Sequence, residues 1–300
     1  MKKIIALLLL SLMFLSLFSC TPRQVGDFEF NTENYPKMGG SLANLPLGEA
    51  VTASVLGISR DEADGLIRFE GSTTDNYKWL LDGTFDIILA YEPSQEAKEL
   101  IAQSGIELEM IPIGADALVF ISSLENEVDS ITLDQIKDIY SGKITNWSDV
   151  GGKDAEILAY QRNKDSGSQT LFDKLVNLGD ELTEAPKTLI IGSMIGLLEA
   201  VADYDNSENA LGYTVYYYLT NMEKEKLATS KILKLDGVEA SNENIENGSY
   251  TLVNDFYVVI RKDAKEGSPE RILRDWIISD QGKALVRAEN YPIRDTAFLN

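Results

Sequence analysis

Within the seven residues 162–168, Arg162, Ser166, Gly167 and Ser168 together have the chemistry of an anion site. A Ser-Gly-Ser turn that opens a helix offers free backbone N–H groups, hydroxyl donors and the positive end of the helix dipole. The arginine adds a planar, permanently charged fork that fits an oxyanion. Two more Gly/Ser turns stand before helical patterns: Gly39-Gly40-Ser41, followed by Leu42 and Ala43, and Gly71-Ser72. One such turn is ordinary helix capping. Three that converge on one cleft would hold an anion without making the whole protein positive.

Overall charge excludes several other roles. The 300 residues carry 27 Lys and Arg against 48 Asp and Glu, no histidine and one cysteine, Cys20. A chain this acidic is a poor partner for nucleic acid, whose phosphates need neutralising cations. Without histidine it lacks the commonest general base and metal ligand, so no metal site and no cofactor are expected. Ser166 lies in a Ser-Gly-Ser turn and not in the Gly-x-Ser-x-Gly elbow of a hydrolase. Glu92 and Asp116 have no nucleophile placed between them. The chain is therefore expected to bind, not to catalyse, and to do so as a monomer.

The N-terminus reads as a targeting segment. Lys2 and Lys3 precede an apolar stretch over 4–18, shorter than the roughly 20 residues needed to span a bilayer. The stretch ends at Leu17-Phe18-Ser19-Cys20, which resembles a bacterial lipobox, although Phe18 stands where a small residue is usual. The resemblance implies a signal peptide over 1–19, lipid on Cys20 and a polar tether over 20–35. The protein would then be exported and held at a membrane, facing the periplasm or the cell exterior. Loss of Lys2 and Lys3 leaves 25 basic residues against 48 acidic ones, a net charge of −23. Screening within about 8 Å allows local dipoles in a cleft to outweigh that surface charge.

Beyond the tether, strand and helix patterns alternate. Apolar runs predict strands over 85–90, 108–113, 117–122, 156–160, 187–191, 211–214 and 251–260. Helical spacing predicts helices over 46–56, 73–81, 94–102, 133–140, 169–178, 193–202, 269–279 and 281–289. Thr132-x-x-Gln135 has the form of a capping box, and Ser268 precedes Pro269 at a first helical position. The alternation predicts an α/β protein with mainly parallel sheets. Tyr213, Tyr216, Tyr217 and Tyr218 are expected in the core, not as a stacking platform.

The segments Ile111-Pro-Ile-Gly-Ala-Asp-Ala-Leu-Val-Phe120 and Ile136-Lys-Asp-Ile-Tyr-Ser-Gly-Lys-Ile-Thr-Asn-Trp147 resemble the PstS-like phosphate-binding lipoproteins of bacterial ABC transporters. The Arg162–Ser168 turn stands where that family has Arg-x-x-Gly-Ser-Gly-Thr, and the resemblance runs from about 35 to 292. It implies the two-lobed type II periplasmic-binding-protein fold, with lobe 1 over 27–115 plus 254–300 and lobe 2 over 116–253. Hinge strands would lie near 114–119 and 252–258. It further implies capture of inorganic phosphate or a related oxyanion for delivery to ABC permease subunits. Ser41, Leu42, Ala43 and Ser72 would form one wall of the site, and Arg162, Ser166, Gly167 and Ser168 the other.

Three positions depart from the family pattern. Leu42 replaces a hydroxyl residue, Asp165 replaces a glycine, and the aspartate that accepts the phosphate proton has no direct match. Glu92 and the Tyr91 hydroxyl are its nearest equivalents. These departures leave open a second reading, a surface lipoprotein of the same fold turned to sensing or protein interaction, with another ligand or none.

Overall fold

The computed structural model describes residues 28–183, 185–202, 207–295 and 297. The expected signal peptide, Cys20 and the first half of the expected tether lie outside the described residues. The first strand, β1 (Met38–Gly40), is followed by a 3-10 turn (Leu42–Asn44) and helices α1 (Leu45–Leu56), α2 (Arg60–Asp64) and α3 (Thr73–Leu81). Next come β2 (Ile87–Tyr91), α4 (Gln95–Ser104) and the long strand β3 (Leu108–Ser123). The middle of the chain forms β4 (Ser130–Ile131), α5 (Leu133–Tyr140), β5 (Leu158–Ala159), β6 (Gln161–Arg162), α6 (Gly167–Leu175) and β7 (Ile190–Ile191). Then follow α7 (Met194–Ala202), β8 (Ala210–Val215), β9 (Ser230–Ile232), β10 (Lys234–Leu235) and α8 (Asn242–Glu246). The chain returns through β11 (Val253–Arg261) and ends in α9 (Pro269–Ile278) and α10 (Asp280–Ala288).

One strand organises the molecule. The first half of β3 pairs antiparallel with β11, and its second half pairs antiparallel with β8 and β9. The main sheet therefore runs β1-β2-β11-β3-β8-β5, with β9 added on β3. Sequence alone split β3 in two at Gly114-Ala115-Asp116, because glycine and aspartate weaken a strand pattern. Here Asp116 is tolerated because its carboxylate is fully hydrogen-bonded, as described below. The α/β class holds, but among the named strands parallel pairing is confined to β1–β2, β5–β8, β4–β10 and β6–β7. The two long strands pair only in the antiparallel sense, so the sheets are mixed, not mainly parallel.

Local signals set most boundaries. Thr132 and Gln135 form the expected capping box on α5, and Ser72 with Asp75 forms another on α3. At α9, Pro269 takes the first turn as expected, but the Ser268 side chain does not cap the helix. The stretch 187–191 is mostly a 3-10 turn (Lys187–Leu189), with only Ile190–Ile191 as strand. Of the four tyrosines expected in the core, Tyr213, Tyr217 and Tyr218 are buried and Tyr216 is half-buried. Tyr213 packs with Phe120, Tyr140 and Phe172, and Tyr217 stacks on Tyr291 with ring centroids 3.6 Å apart. No helix among the described residues is long and apolar enough to cross a membrane.

Candidate functional site

Strand β6 ends at Arg162, and the turn after it delivers the chain to the start of α6. Arg162 is 7% exposed. Its backbone N–H donates to Tyr213 Oη at 3.0 Å, which anchors the strand end to β8. Its Nε donates to the Ile191 carbonyl at 2.9 Å and its Nη2 to the Gly192 carbonyl at 3.2 Å. These two bonds aim the guanidinium, and burial pulls its pKa down from the ordinary value. Even so, arginine keeps its charge at any physiological pH. Ser166 caps α6 by accepting from Gln169 N at 3.1 Å. As the first two helical residues, Gly167 and Ser168 have N–H groups with no acceptor inside the helix.

The facing wall comes from the ends of β1 and the start of α3. A Cβ on Gly40 would run into the Leu89 carbonyl oxygen, so only glycine lets β1 turn here. Ser41 N donates to that carbonyl at 2.9 Å, and Asn44 Nδ2 donates to it at 3.2 Å. Asn44 N closes the 3-10 turn on Ser41 O, leaving the Leu42 and Ala43 N–H groups without acceptors in the turn. At α3, Ser72 N and Ser72 Oγ both donate to Asp75 Oδ2, at 2.9 and 2.8 Å.

Between these walls lies a cavity of about 380 Å³. Ser41, Leu42, Ala43 and Ser72 line it from one side, and Arg162, Ser166, Gly167 and Ser168 from the other. The oxygens Ser41 Oγ and Ser168 Oγ are buried and have no hydrogen-bond partner among the described residues. The walls already touch at one point: a Cβ added to Gly167 would sit 2.9 Å from Thr73 Oγ1.

Two expectations need correction. The Ser72 hydroxyl is committed to Asp75 and is not a free donor. Glu92 is not on the lining. It follows Tyr91 directly, and adjacent extended residues face opposite ways. Tyr91 therefore lines the cavity, while Glu92 pairs outside it with Lys174 Nζ at 2.6 Å and accepts from Tyr257 Oη at 3.2 Å. Asp165, which replaces a glycine beside the anion turn, does bring a carboxylate to the site: it lines the cavity and accepts from Asn163 Nδ2 in its own turn.

Sequence reasoning missed two carboxylates. Asp75 also lines the cavity, and the Ser-x-x-Asp spacing of a capping box was its available signal. Asp116 is fully buried at the midpoint of β3, between the apolar residues Ala115 and Ala117. It accepts from Tyr91 Oη at 2.7 Å, Ala117 N at 2.8 Å and Tyr217 N at 2.9 Å. Burial raises its pKa to about 6, against the lowering effect of those three donors. Among the described residues, no cluster of three or more Asp, Glu, His or Cys could hold a metal ion.

Known proteins agree with this architecture. The family profile of the PBP superfamily domain matches residues 70–281. The phosphate-binding protein PstS of Staphylococcus saprophyticus is 27% identical over 222 residues, 71% of this chain and 66% of that one. A Clostridium perfringens protein, assigned as a phosphate ABC transporter substrate-binding protein and crystallised with phosphate, superposes with a TM-score of 0.68. It is 29% identical, and the match covers 87% of this chain and 99% of that one. An ABC-type phosphate transport receptor from Vibrio cholerae shares the fold at 20% identity, with a TM-score of 0.63 and coverage of 86% and 99%. These relatives are substrate-binding proteins, not enzymes. The chain belongs to the PBP superfamily, with the type II periplasmic-binding-protein fold, and is a distant homologue of PstS-type phosphate-binding proteins.

Proposed function

We propose that this protein is a lipid-anchored solute-binding protein that captures a phosphoryl oxyanion between its lobes and hands it to an ABC permease. One observation carries the reading. Ser41 Oγ and Ser168 Oγ, buried and unpartnered, stand on opposite walls of a cavity that Arg162 also lines. An unsatisfied buried hydroxyl costs about 1–3 kcal/mol. An oxyanion held between them would relieve both and bind the two lobes together, as expected of a hinged receptor. The N–H groups of Leu42, Ala43, Gly167 and Ser168 would complete its shell. Of the two acceptor candidates, Tyr91 is the one on the lining, and its own proton goes to Asp116. Lobe 1 over 27–115 plus 254–300 and lobe 2 over 116–253 are part of this proposal, with the hinge where β3 and β11 run side by side.

Calorimetry with inorganic phosphate tests the binding. We expect saturable 1:1 binding, weakened about 30-fold or more in Arg162→Ala, since truncating one partner of a buried hydrogen-bonded charge pair costs about 2–5 kcal/mol. No heat at millimolar phosphate would sink the reading, and unchanged affinity in Arg162→Ala would move the site elsewhere. The anchor has its own test. Cys20→Ser should release the protein from the membrane fraction, because one or two acyl chains supply most of the membrane affinity of such a protein. Intact mass spectrometry of the wild type that shows no acyl mass on Cys20 would disprove lipid attachment there.

A further inference from the structure

The cavity is larger than an inorganic phosphate requires. Phosphate has five heavy atoms, and at the roughly 30 Å³ that each water takes up in the liquid it would fill no more than about 150 Å³. The cavity, which is partly open to solvent, offers about 380 Å³. Further closure cannot take up the difference simply. The walls already meet where Gly167 faces Thr73, and Lys174 ties the lobe-2 helix α6 to Glu92 and, at 2.7 Å, to Asn254 Oδ1 on β11.

The lining is also divided by chemistry. Arg162, Ser168 and Ser41 make the anion pole. Leu42, Met194 and Val215 add apolar surface, and the Tyr91 ring runs close to Gly167, its Cδ2 3.9 Å from where a Cβ would stand. Leu42 is 36% exposed, an apolar side chain that the protein itself does not cover. Asp75 and Asp165 bring carboxylates to the same lining. Their charge repels inorganic phosphate and a substituted phosphoryl group alike, but hydroxyl groups on an organic substituent can donate to them.

From the size of the cavity and the pairing of an anion pole with Leu42, Met194 and Val215, we infer that the ligand is a monosubstituted phosphoryl anion, R–PO₃²⁻, with a small organic R. This inference rests on the phosphoryl-binding reading above and specifies its substrate class. A phosphate monoester and a phosphonate share the headgroup. The anion pole holds the three free oxygens of either, and the fourth substituent extends over Leu42 and Met194.

The test is competitive calorimetry on the full-length chain in detergent, with inorganic phosphate, glycerol 3-phosphate and propylphosphonate as probes. We expect at least one substituted probe to bind tenfold or more tighter than inorganic phosphate. A lead for glycerol 3-phosphate would assign an ester with hydroxyl donors to the carboxylates, and a lead for propylphosphonate an apolar R. Leu42→Ala and Met194→Ala should each reduce the ratio of substituted-probe to phosphate affinity by about threefold or more. Inorganic phosphate binding as tightly as both substituted probes would overturn the inference and leave phosphate capture intact. Failure of all three probes to bind would overturn the phosphoryl reading as well.

Discussion

Asp116 shows how one buried group can serve a site it does not touch. Its carboxylate accepts a hydrogen bond from the Tyr91 hydroxyl, so the orientation of a lining residue depends on a carboxylate at the centre of β3. It also holds Tyr217 N, and Tyr217 stacks on Tyr291 near the C-terminus. Burial is the main reason its pKa stands at about 6, above the ordinary 3.8. The folded protein therefore binds more protons than the unfolded chain between about pH 4 and 6, and stability from this group falls as pH rises through that window. Two units correspond to about 3 kcal/mol. Urea unfolding of the wild type and Asp116→Asn at pH 4 and pH 7.5 isolates the effect, because other carboxylates cancel in the difference. The wild type should gain about 2–3 kcal/mol relative to the variant at the lower pH. A difference that does not change with pH would show that Asp116 titrates normally.

Helices were more legible than strands, for a physical reason. Helix α5 occupies the expected 133–140 because Thr132 and Gln135 mark its start and its apolar side repeats at helical spacing. Helix α3 likewise fills 73–81, closed at its start by Ser72 and Asp75. Strand β3 was not legible as one element, since nothing local says that Gly114 and Asp116 will be carried inside a sheet. That outcome depends on β11, more than a hundred residues later, and on donors from Tyr91 and Tyr217. The candidate site divides in the same way. Its backbone donors follow from turns that sequence can show, at Ser41 and at Ser166–Ser168. The direction taken by a side chain beyond a strand end does not, and for that reason Tyr91 lines the cavity while Glu92 turns to Lys174. Asp75 was hidden by its double role, being both the capping partner of Ser72 and part of the cavity lining.

At the scale of the whole molecule, function depends on how closely the two lobes can approach. Lys174 links α6 to Glu92 and Asn254, but Lys174 and Glu92 are partly exposed, and such pairs contribute at most about 1 kcal/mol. Steric fit at the helix ends is the firmer constraint. Gly167 places the start of α6 against Thr73 at the start of α3, where a Cβ would sit 2.9 Å from Thr73 Oγ1 and force one of them to shift. Gly167→Val keeps the backbone N–H and occupies a helix N-terminal position that tolerates it, so the donor and the local fold survive. Overpacking typically costs about 1–3 kcal/mol, which here would fall on closure and not on either lobe. Phosphoryl affinity should drop roughly 10- to 100-fold while the midpoint of thermal unfolding without ligand barely moves. Small-angle scattering in saturating ligand should give a larger radius of gyration than the wild type. Thr73→Ala in the same chain removes the opposing atom and should restore part of the affinity, a coupling that a double-mutant cycle reads directly. Independent, additive losses from the two substitutions would mean that the lobes do not meet at this point when the ligand is held.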